Sequence, residues 1–421
     1  MKLLLKSIKI FDKTSKYHLK KMDIFIESGE IREIGINILP DNHTKVFKEQ
    51  GACVSTAWMD SNFHIFEPGY EYREDFNSGL NAAEKGGFSN LCLMPNTIPP
   101  IDNSAQLAFA QKSSKHSLVD VFCLGAVSQG TGGKDIAEIY DMHHHGAVGF
   151  TDGIKPIHDA GLMERALWYV KKFDGVVLSQ PNQDDLAGKG QMNEGLNSTK
   201  LGLEGVPKLA EELMVSRDLY LLEHTQSRLH FINISTKKSV DLIRSAKKKG
   251  LNVTAGVNVA NLFFEDSELL DYDTNFKVTP HLREKEDISA LLKGLADGTI
   301  DVISSGHLPL HLDEKKLEFD HSAFGMSTID CAFRAARKAT EKALNEDELV
   351  EKLTNAYGIF KQNKPLIQVG NKVDLTVFSM QGDEVFTKEE VYSKGKNNPF
   401  VGRNLLGKVF GIIKGNKTNL L

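Results

Sequence analysis

Residues 229–254 read LHFINISTKKSVDLIRSAKKKGLNVT, and the order of segments within them indicates the fold class. A short apolar run, LHFINI, is followed by a stretch of helical periodicity over residues 239–249 and then by a second short run, LNVT. Short buried strands that alternate with helices are typical of a parallel sheet in which helices connect successive strands. The stretch therefore predicts an α/β protein.

The same alternation recurs on both sides of this stretch. Further apolar runs lie at residues 91–94, 119–124, 147–150, 175–178 and 302–304, and a helical pattern covers residues 286–296. Repeated units of this kind over about 300 residues fit a (β/α)8 TIM-type barrel. The two ends of the chain show the alternating pattern of short antiparallel strands instead. The sequence thus predicts a barrel over residues 56–365 and a small composite β-sandwich from residues 1–55 and 366–421.

Composition excludes several classes of protein. Of the 421 residues, 41% are hydrophobic and 25% are charged, which is usual for a globular protein and excludes disordered and collagen-like chains. The net charge of −5 gives no reason to expect a nucleic-acid partner. Apolar runs are too short for a membrane span. Four widely spaced cysteines, with no CxxC pair, favour reduced thiols and a cytoplasmic location.

A series of short motifs runs along nearly the whole chain. They are Glu67-Pro68-Gly69, Glu71-Tyr72-Arg73-Glu74-Asp75, Met94-Pro95-Asn96-Thr97, Gly149-Phe150-Thr151-Asp152, Leu201-Gly202-Leu203-Glu204-Gly205, Ile234-Ser235-Thr236, Asp297-Gly298-Thr299-Ile300-Asp301, Ala323-Phe324-Gly325 and Asn398-Pro399-Phe400. In this order they resemble the dihydroorotase family of the amidohydrolase superfamily. The resemblance implies a barrel enzyme of pyrimidine biosynthesis that interconverts carbamoyl aspartate and dihydroorotate.

The resemblance also implies where metal would bind, and these positions are altered. Family members end the first barrel strand with Asp-x-His-x-His-x-Arg, where the histidines bind zinc and the arginine binds a substrate carboxylate. The corresponding stretch here is Asp60-Ser61-Asn62-Phe63-His64-Ile65-Phe66. The implied metal positions that are kept are His64 and Asp152, whereas Asn62, Gln180 and Asn233 stand in place of histidines.

The catalytic aspartate implied by the resemblance is also replaced. The family's Asp-His-Ala-Pro-His motif falls on Gly306-His307-Leu308-Pro309-Leu310. Glycine has no side chain with which to accept or donate a proton. The remaining positions implied to contact substrate are Asn96, which is kept, Phe66, Thr279 and Leu310.

These replacements favour loss of metal-dependent hydrolysis. A catalytic zinc needs about three protein ligands, and amide oxygens are weaker ligands than imidazole. Without the metal, the pKa of water stays near ~15.7 rather than falling to ~7. We therefore expect no catalytic residue and no cofactor, and a dihydroorotase-like pseudoenzyme that acts as a scaffold or regulatory partner, for example of aspartate transcarbamoylase. Family analogy alone suggests a homodimer.

The alternative is an active metal-dependent cyclic-amide hydrolase, a dihydroorotase with zinc in a modified site. It requires further ligands at the barrel mouth, and the candidates are His158, Asp159, His281, His307 and His311. No shared spacing connects these residues. Lys155, which follows the Asp152 turn, either places a cation in the altered pocket or is a solvated surface lysine.

Overall fold

Strands of buried residues alternate with helices through the middle of the chain. The structure, a computed structural model, describes residues 1–115 and 117–420. Its strands are, in chain order, β1 (Lys2–Phe11), β2 (Lys21–Glu27), β3 (Glu30–Gly35), β4 (Lys45–Phe47), β5 (Ala52–Thr56), β6 (Trp58–Phe63), β7 (Phe88–Leu93), β8 (Asp120–Gly125), β9 (Gly149–Phe150), β10 (Val177–Ser179), β11 (Met192–Asn193), β12 (Gly205–Val206), β13 (Leu229–Phe231), β14 (Val253–Asn258), β15 (Val302–Ser304), β16 (Asp374–Val385), β17 (Asn404–Lys414) and β18 (Lys417–Thr418).

The helices lie mostly between the barrel strands. They are α1 (Phe76–Gly86), α2 (Ser104–Ser113), α3 (Ile139–His144), α4 (Ala160–Lys171), α5 (Asp184–Ala187), α6 (Leu196–Leu201), α7 (Leu209–Thr225), α8 (Lys237–Lys248), α9 (Val259–Phe263), α10 (Lys285–Ala296), α11 (Leu312–Lys315), α12 (Ala332–Ala339), α13 (Glu346–Thr354) and α14 (Ala356–Ile359). Short 3-10 helices cover Gln129–Thr131, Asp266–Asp271, Thr274–Phe276, Phe319–His321 and Lys388–Glu390. In the described ranges, none of these helices combines the length and the apolar character needed to cross a bilayer.

Eight parallel strands form the predicted (β/α)8 barrel. Their order is β6, β7, β8, β9, β10, β13, β14 and β15, so the barrel strands follow one another in chain order, and β11 and β12 form a separate two-stranded sheet between β10 and β13 in the chain. A parallel bridge between Phe63 and His307 brings the end of β6 beside the segment after β15 and closes the barrel. The carboxyl ends of all eight strands therefore meet at one mouth, which is where barrel enzymes place their sites.

Local sequence explains the outer layer. In α8, Val240, Ile243 and Ala246 are buried, and their spacing puts them on one face of the helix, against the barrel. The hydroxyl of Thr236 accepts a hydrogen bond from the amide of Ser239 at 3.2 Å and so caps the helix start. The charged residues of α8 are left on the outer face. This is how the lysine-rich stretch that follows LHFINI becomes a surface helix.

The two ends of the chain form one flanking sheet beside the barrel. Its order is β18, β17, β16, β5, β1, β2 and β3, with β4 paired to β1. Strand β5 joins the two ends because it pairs with β1 on one side and with β16 on the other. The sheet has a core of its own, which contains Leu3, Ile24 and Val54.

The four cysteines are free and buried. Cys53 lies in β5, Cys92 in β7, Cys123 in β8, and Cys331 directly before α12. Burial raises the pKa of the Cys53 thiol to about 11 and that of Cys123 to about 12. Burial likewise raises the pKa of Cys92 and Cys331. At neutral pH the thiolate, which is the reactive form, is therefore suppressed at all four positions.

Candidate functional site at the barrel mouth

A narrow pocket opens at the carboxyl ends of the barrel strands. Asn62 and His64 reach it from the end of β6, Gln180 follows β10, and Asn233 follows β13. Gly306 follows β15 and also lines the pocket. The structure thus brings these sequence-predicted positions together, because the ends of parallel strands converge at one end of the barrel. Thr279, another predicted position, lines the pocket as well.

Asp152 and Asn96 lie outside the pocket lining. The carboxylate of Asp152 accepts hydrogen bonds from the amides of Val127 at 3.0 Å and Ser128 at 2.9 Å, and from the Ser128 hydroxyl. The Asn96 amide nitrogen donates to the carbonyl of Asp152 at 3.0 Å, and its oxygen accepts from the amide of Ile154 at 3.1 Å. Both side chains therefore hold the loops that follow β8 and β9.

Phe66 and Leu310 are packed into the protein and do not line the pocket. Each is 2% exposed. The ring of Phe66 stacks on His64 with 5.7 Å between centroids, and the guanidinium carbon of Arg73 lies 5.1 Å from the Phe66 centroid. Arg73 is itself bound to Glu314 through its guanidinium. At position 66, where the resemblance implies a contact to a substrate carboxylate, the side chain thus makes aromatic and apolar contacts within the protein.

His64 is the titratable side chain among the described residues that line the pocket. It is 4% exposed, and burial lowers its pKa to about 3, with a smaller contribution from His307. The imidazole is therefore neutral at physiological pH. Its backbone amide donates to the carbonyl of His307 at 3.2 Å, which fixes the residue at the closure of the barrel.

The donor set does not fit a zinc centre. A catalytic zinc is held by about three histidine, cysteine or carboxylate ligands. Among residues 1–115 and 117–420, no group of three such side chains could hold a metal ion. The pocket offers one imidazole and several neutral amides, which are weak ligands for this cation. We therefore derive no chemical step through a metal.

The residues considered as replacement ligands are engaged elsewhere. His158 contacts the carboxylate of Asp184 at 2.8 Å, and Asp159 accepts from the amide of Leu162 at the start of α4. His307 is fully buried, and its Nδ1 accepts from the amides of Thr328 and Ile329. His281 packs edge-on against Phe324, and His311 caps α11. None of the five lies in the described pocket lining.

Asn258, at the end of β14, occupies the space next to Gly306. Gly306 has a positive φ of 65°, and a Cβ built on it would lie 2.5 Å from Oδ1 of Asn258. The Ser304 hydroxyl lies 2.9 Å from Oδ1 of both Asn258 and Asn233, so it can donate to one of them at a time. The position that the resemblance assigns to a catalytic aspartate is therefore filled by a neutral amide from the neighbouring strand.

Two residues that line this pocket, Asn62 and Asn261, each carry a buried amide oxygen without a donor. Oδ1 of Asn62 and Oδ1 of Asn261 have no hydrogen-bond partner within the part of the chain that the structure describes. Asn261 is fixed in orientation because its nitrogen donates to the carbonyl of His281 at 2.9 Å and to that of Pro280 at 3.3 Å. Unpaired buried acceptors are costly, and in native structures each one calls for an explanation such as a bound partner.

Below the pocket, Asp60 supports its floor. Asp60 is fully buried, and burial raises its pKa to about 6 although the hydrogen bonds that it accepts oppose the shift. The carboxylate accepts from the amide of Ser305 at 2.9 Å and from the Ser305 hydroxyl. It therefore fixes the turn that presents Gly306.

Sequence reasoning missed Asn258 and Asn261. A usable signal existed for Asn258, because polar residues at the ends of apolar runs are the ones that reach the mouth of a barrel. The apolar run in the sequence covers residues 251–254, whereas β14 continues to Asn258. Asn261 lies in α9, directly after this strand, and carries no comparable signal.

The chain is similar to known dihydroorotases over nearly its full length. A family model described as "Dihydro-orotase-like" matches residues 53–239. The dihydroorotase of Acetivibrio thermocellus is 39% identical over 400 residues, covering 94% of this chain and 94% of the relative. The dihydroorotase of Ruminiclostridium cellulolyticum is 38% identical over 413 residues, with 97% and 96% covered.

Solved structures support the fold. The L-hydantoinase of Arthrobacter aurescens matches with a TM-score of 0.86 at 19% identity, and the match covers 100% of this chain and 97% of that one. The D-hydantoinase of a Thermus species matches with a TM-score of 0.83 at 20% identity, covering 99% and 95%. At this level of identity the likeness concerns the architecture.

The predicted scaffold role and the pseudoenzyme assignment are contradicted. Dihydroorotases match this chain at 34–39% identity over 92–99% of its length, which points to an active enzyme. Loss of the zinc ligands of the family therefore does not by itself establish loss of the reaction. The relatives instead favour the alternative, an active metal-dependent cyclic-amide hydrolase with a modified site.

Proposed function

This chain belongs to the dihydroorotase family, and we propose that it is an active cyclic-amide hydrolase that interconverts dihydroorotate and carbamoyl aspartate. The observation that carries the proposal is the 39% identity to a dihydroorotase over 94% of both chains. The barrel mouth is the place for this reaction, because the pocket there is lined by polar side chains from several strands.

The reaction adds water across the ring amide bond. The hydroxyl of water bonds to the carbonyl carbon, the C–N bond of the ring breaks, the ring nitrogen gains the proton, and ring closure is the reverse. In this proposal the amides of Asn62, Asn233 and Asn261 orient the ring, since each can pair with a ring N–H or carbonyl. His64 orients the attacking water, because a neutral imidazole both donates and accepts a hydrogen bond. Met94, which lines the pocket, limits the access of bulk water from its side.

The proposal is tested by assaying both directions of the reaction. Protein freed of metal with a chelator, and a sample supplemented with zinc, are incubated with dihydroorotate or with carbamoyl aspartate, and both compounds are separated and quantified. We expect turnover above the buffer blank, with equilibrium approached from either side. Failure to interconvert the two compounds under either condition contradicts the proposed activity.

A variant pair connects the activity with the pocket. His64→Gln keeps a polar side chain of similar size, and we expect it to lower kcat by at least about tenfold because the water is less well oriented. His158→Gln is the control, since this histidine is partly exposed and contacts Asp184 outside the pocket lining. Equal activity of both variants would place the reaction elsewhere.

We also propose that the protein is located in the cytoplasm. Oxidising compartments favour disulfides, whereas all four cysteines of this chain are free and buried. Fractionation of cells, followed by detection of the chain in the cytoplasmic and other fractions, tests this proposal. The predicted homodimer stays a prediction.

A further inference from the structure

The pocket at the barrel mouth presents no formal charge to a ligand. Its described lining contains no lysine, arginine, aspartate or glutamate. Two cations close to it in the sequence are engaged elsewhere. The Arg73 guanidinium is bound to Glu314, and the Lys277 ammonium donates to the carbonyl of Phe319 at 2.6 Å. Lys155 is exposed and lies beyond the rim residue Ile154.

Two residues that line the same pocket carry amide oxygens that lack donors. Oδ1 of Asn62 and Oδ1 of Asn261 are both buried, and neither has a partner among the described residues. Asn62 is 7% exposed and Asn261 is 2% exposed, so bulk water cannot compensate freely. A ligand that supplies N–H groups to both oxygens satisfies the two acceptors at once.

From these two observations, we propose that this site recognises its ligand as an uncharged cyclic amide or ureide, through the ring N–H groups and without a contact to a carboxylate. A carboxylate offers only acceptors, and moving one into a pocket without a cation carries a large desolvation cost. The ring of dihydroorotate satisfies the acceptors, while its carboxylate gains nothing from the lining. The inference rests on the proposed function, because it specifies which part of the cyclic substrate the same site binds.

The direct test compares two ring compounds. 5,6-Dihydrouracil is the dihydroorotate ring without its carboxylate. Titration calorimetry with the full chain measures the Kd of each compound, and we expect dihydrouracil to bind at least as tightly as dihydroorotate. Dihydroorotate binding about tenfold tighter or more would overturn the inference, as would a failure of both rings to bind at millimolar concentration.

Two substitutions locate the source of the selectivity. Asn62→Leu removes an acceptor without breaking a side-chain hydrogen bond within the protein, and we expect it to weaken dihydrouracil binding by about tenfold. Asn252→Leu is the matched control, because this asparagine is exposed at the opposite end of β14. Unchanged binding by the Asn62 variant contradicts the assignment.

Variants that change the charge at the pocket rim test whether a cation there binds the carboxylate of dihydroorotate. Lys155→Ala should leave the affinity for dihydroorotate within about twofold, whereas a selective loss would show that Lys155 binds the carboxylate and would overturn the inference. Ile154→Arg places a cation at the partly exposed rim and should tighten dihydroorotate binding by about tenfold while dihydrouracil is unaffected. Ile36→Arg is the control for net charge. It adds the same charge at an exposed position in the segment that precedes the barrel in the sequence.

The inference and the proposed function can fail separately. If dihydroorotate binds more tightly than dihydrouracil and is turned over, the neutral-ring inference is wrong and the proposed function stands. If dihydrouracil binds preferentially and dihydroorotate is not turned over, the inference stands and the proposed function is wrong.

Discussion

At the scale of single residues, Gly306 shows why a replacement cannot be interpreted from the sequence alone. The sequence indicates only that an acidic side chain is missing at this position. The structure adds that the backbone has a positive φ and that the Asn258 amide fills the adjacent space. The loss at one position is therefore coupled to a residue of the neighbouring strand, which a comparison of motifs does not reveal.

This coupling predicts the effect of a small substitution. Gly306→Ala should lower the free energy of unfolding by about 1–3 kcal/mol more than Gly202→Ala, because both have a positive φ but only Gly306 has a side chain in the way. Urea denaturation of the two variants measures the difference. Adding Asn258→Ala to Gly306→Ala should recover part of the loss. Equal destabilisation by the two single substitutions would contradict the steric explanation.

The candidate site was only partly predictable from the residues. Asn62, His64, Gln180 and Asn233 were predicted because the resemblance to the dihydroorotase family implies metal ligands at these positions. Asp152 and Asn96 were assigned to the site with them, but their hydrogen bonds to loop backbone are set by tertiary contacts. The sequence contains no signal for which polar side chain of a loop turns inward.

At the scale of secondary-structure elements, buried side chains of helices hold the loops at the barrel mouth. Glu211, in α7, is 3% exposed and accepts hydrogen bonds from the amides of Ser235 at 2.9 Å and Thr236 at 3.0 Å. The guanidinium of Arg283 lies 3.9 Å from the same carboxylate. One charged residue of a helix thus fixes the loop between β13 and α8, which contains Asn233.

Neutralising Glu211 should therefore be costly. Glu211→Gln removes the charge opposite Arg283 and replaces one acceptor by a donor, and we expect a loss of about 2–4 kcal/mol in the free energy of unfolding. Glu212→Gln is the control because Glu212 is only half-buried, and the substitution should change stability by less than about 0.5 kcal/mol. Equal denaturation midpoints for the two variants would show that Glu211 does not hold the loop.

The elements themselves were largely predictable, and their ends were not. The helical pattern at residues 239–249 corresponds to α8 over Lys237–Lys248. The run at residues 251–254 corresponds to β14, which begins at Val253 and ends at Asn258. The strand continues because Gly256, Val257 and Asn258 pair with β15. Pairing with a distant strand, rather than local hydrophobicity, sets this boundary.

At the scale of the whole molecule, an aromatic cluster connects the barrel with the flanking sheet. Trp58, at the start of β6, lies 5.1 Å from Phe378 of β16 and 4.7 Å from Phe333 of α12, measured between ring centroids. All three side chains are buried. Because barrel and sheet share this apolar contact, we expect them to unfold together.

Cooperative unfolding gives a measurable prediction. Phe378→Ala should lower the free energy of unfolding by about 3–5 kcal/mol while far-UV circular dichroism and tryptophan fluorescence still report one shared midpoint. Phe109→Ala, at a side chain that is 41% exposed, is the control and should have a much smaller effect. Separate midpoints for the two probes in the wild-type protein would show that the sheet and the barrel unfold independently.

The four buried cysteines can report local opening of the native structure, because a thiol must become exposed before it is labelled. A thiol reagent such as a maleimide reaches none of them while the native structure persists, because each is at most 5% exposed. The rate of labelling therefore measures how often a region opens, not how reactive its sulfur is. Cys53 reports on the flanking sheet, Cys92 and Cys123 report on neighbouring barrel strands, and Cys331 reports on the segment before α12. Mass spectrometry of a labelling time course would thus rank the parts of the molecule by their local stability, without any engineered probe.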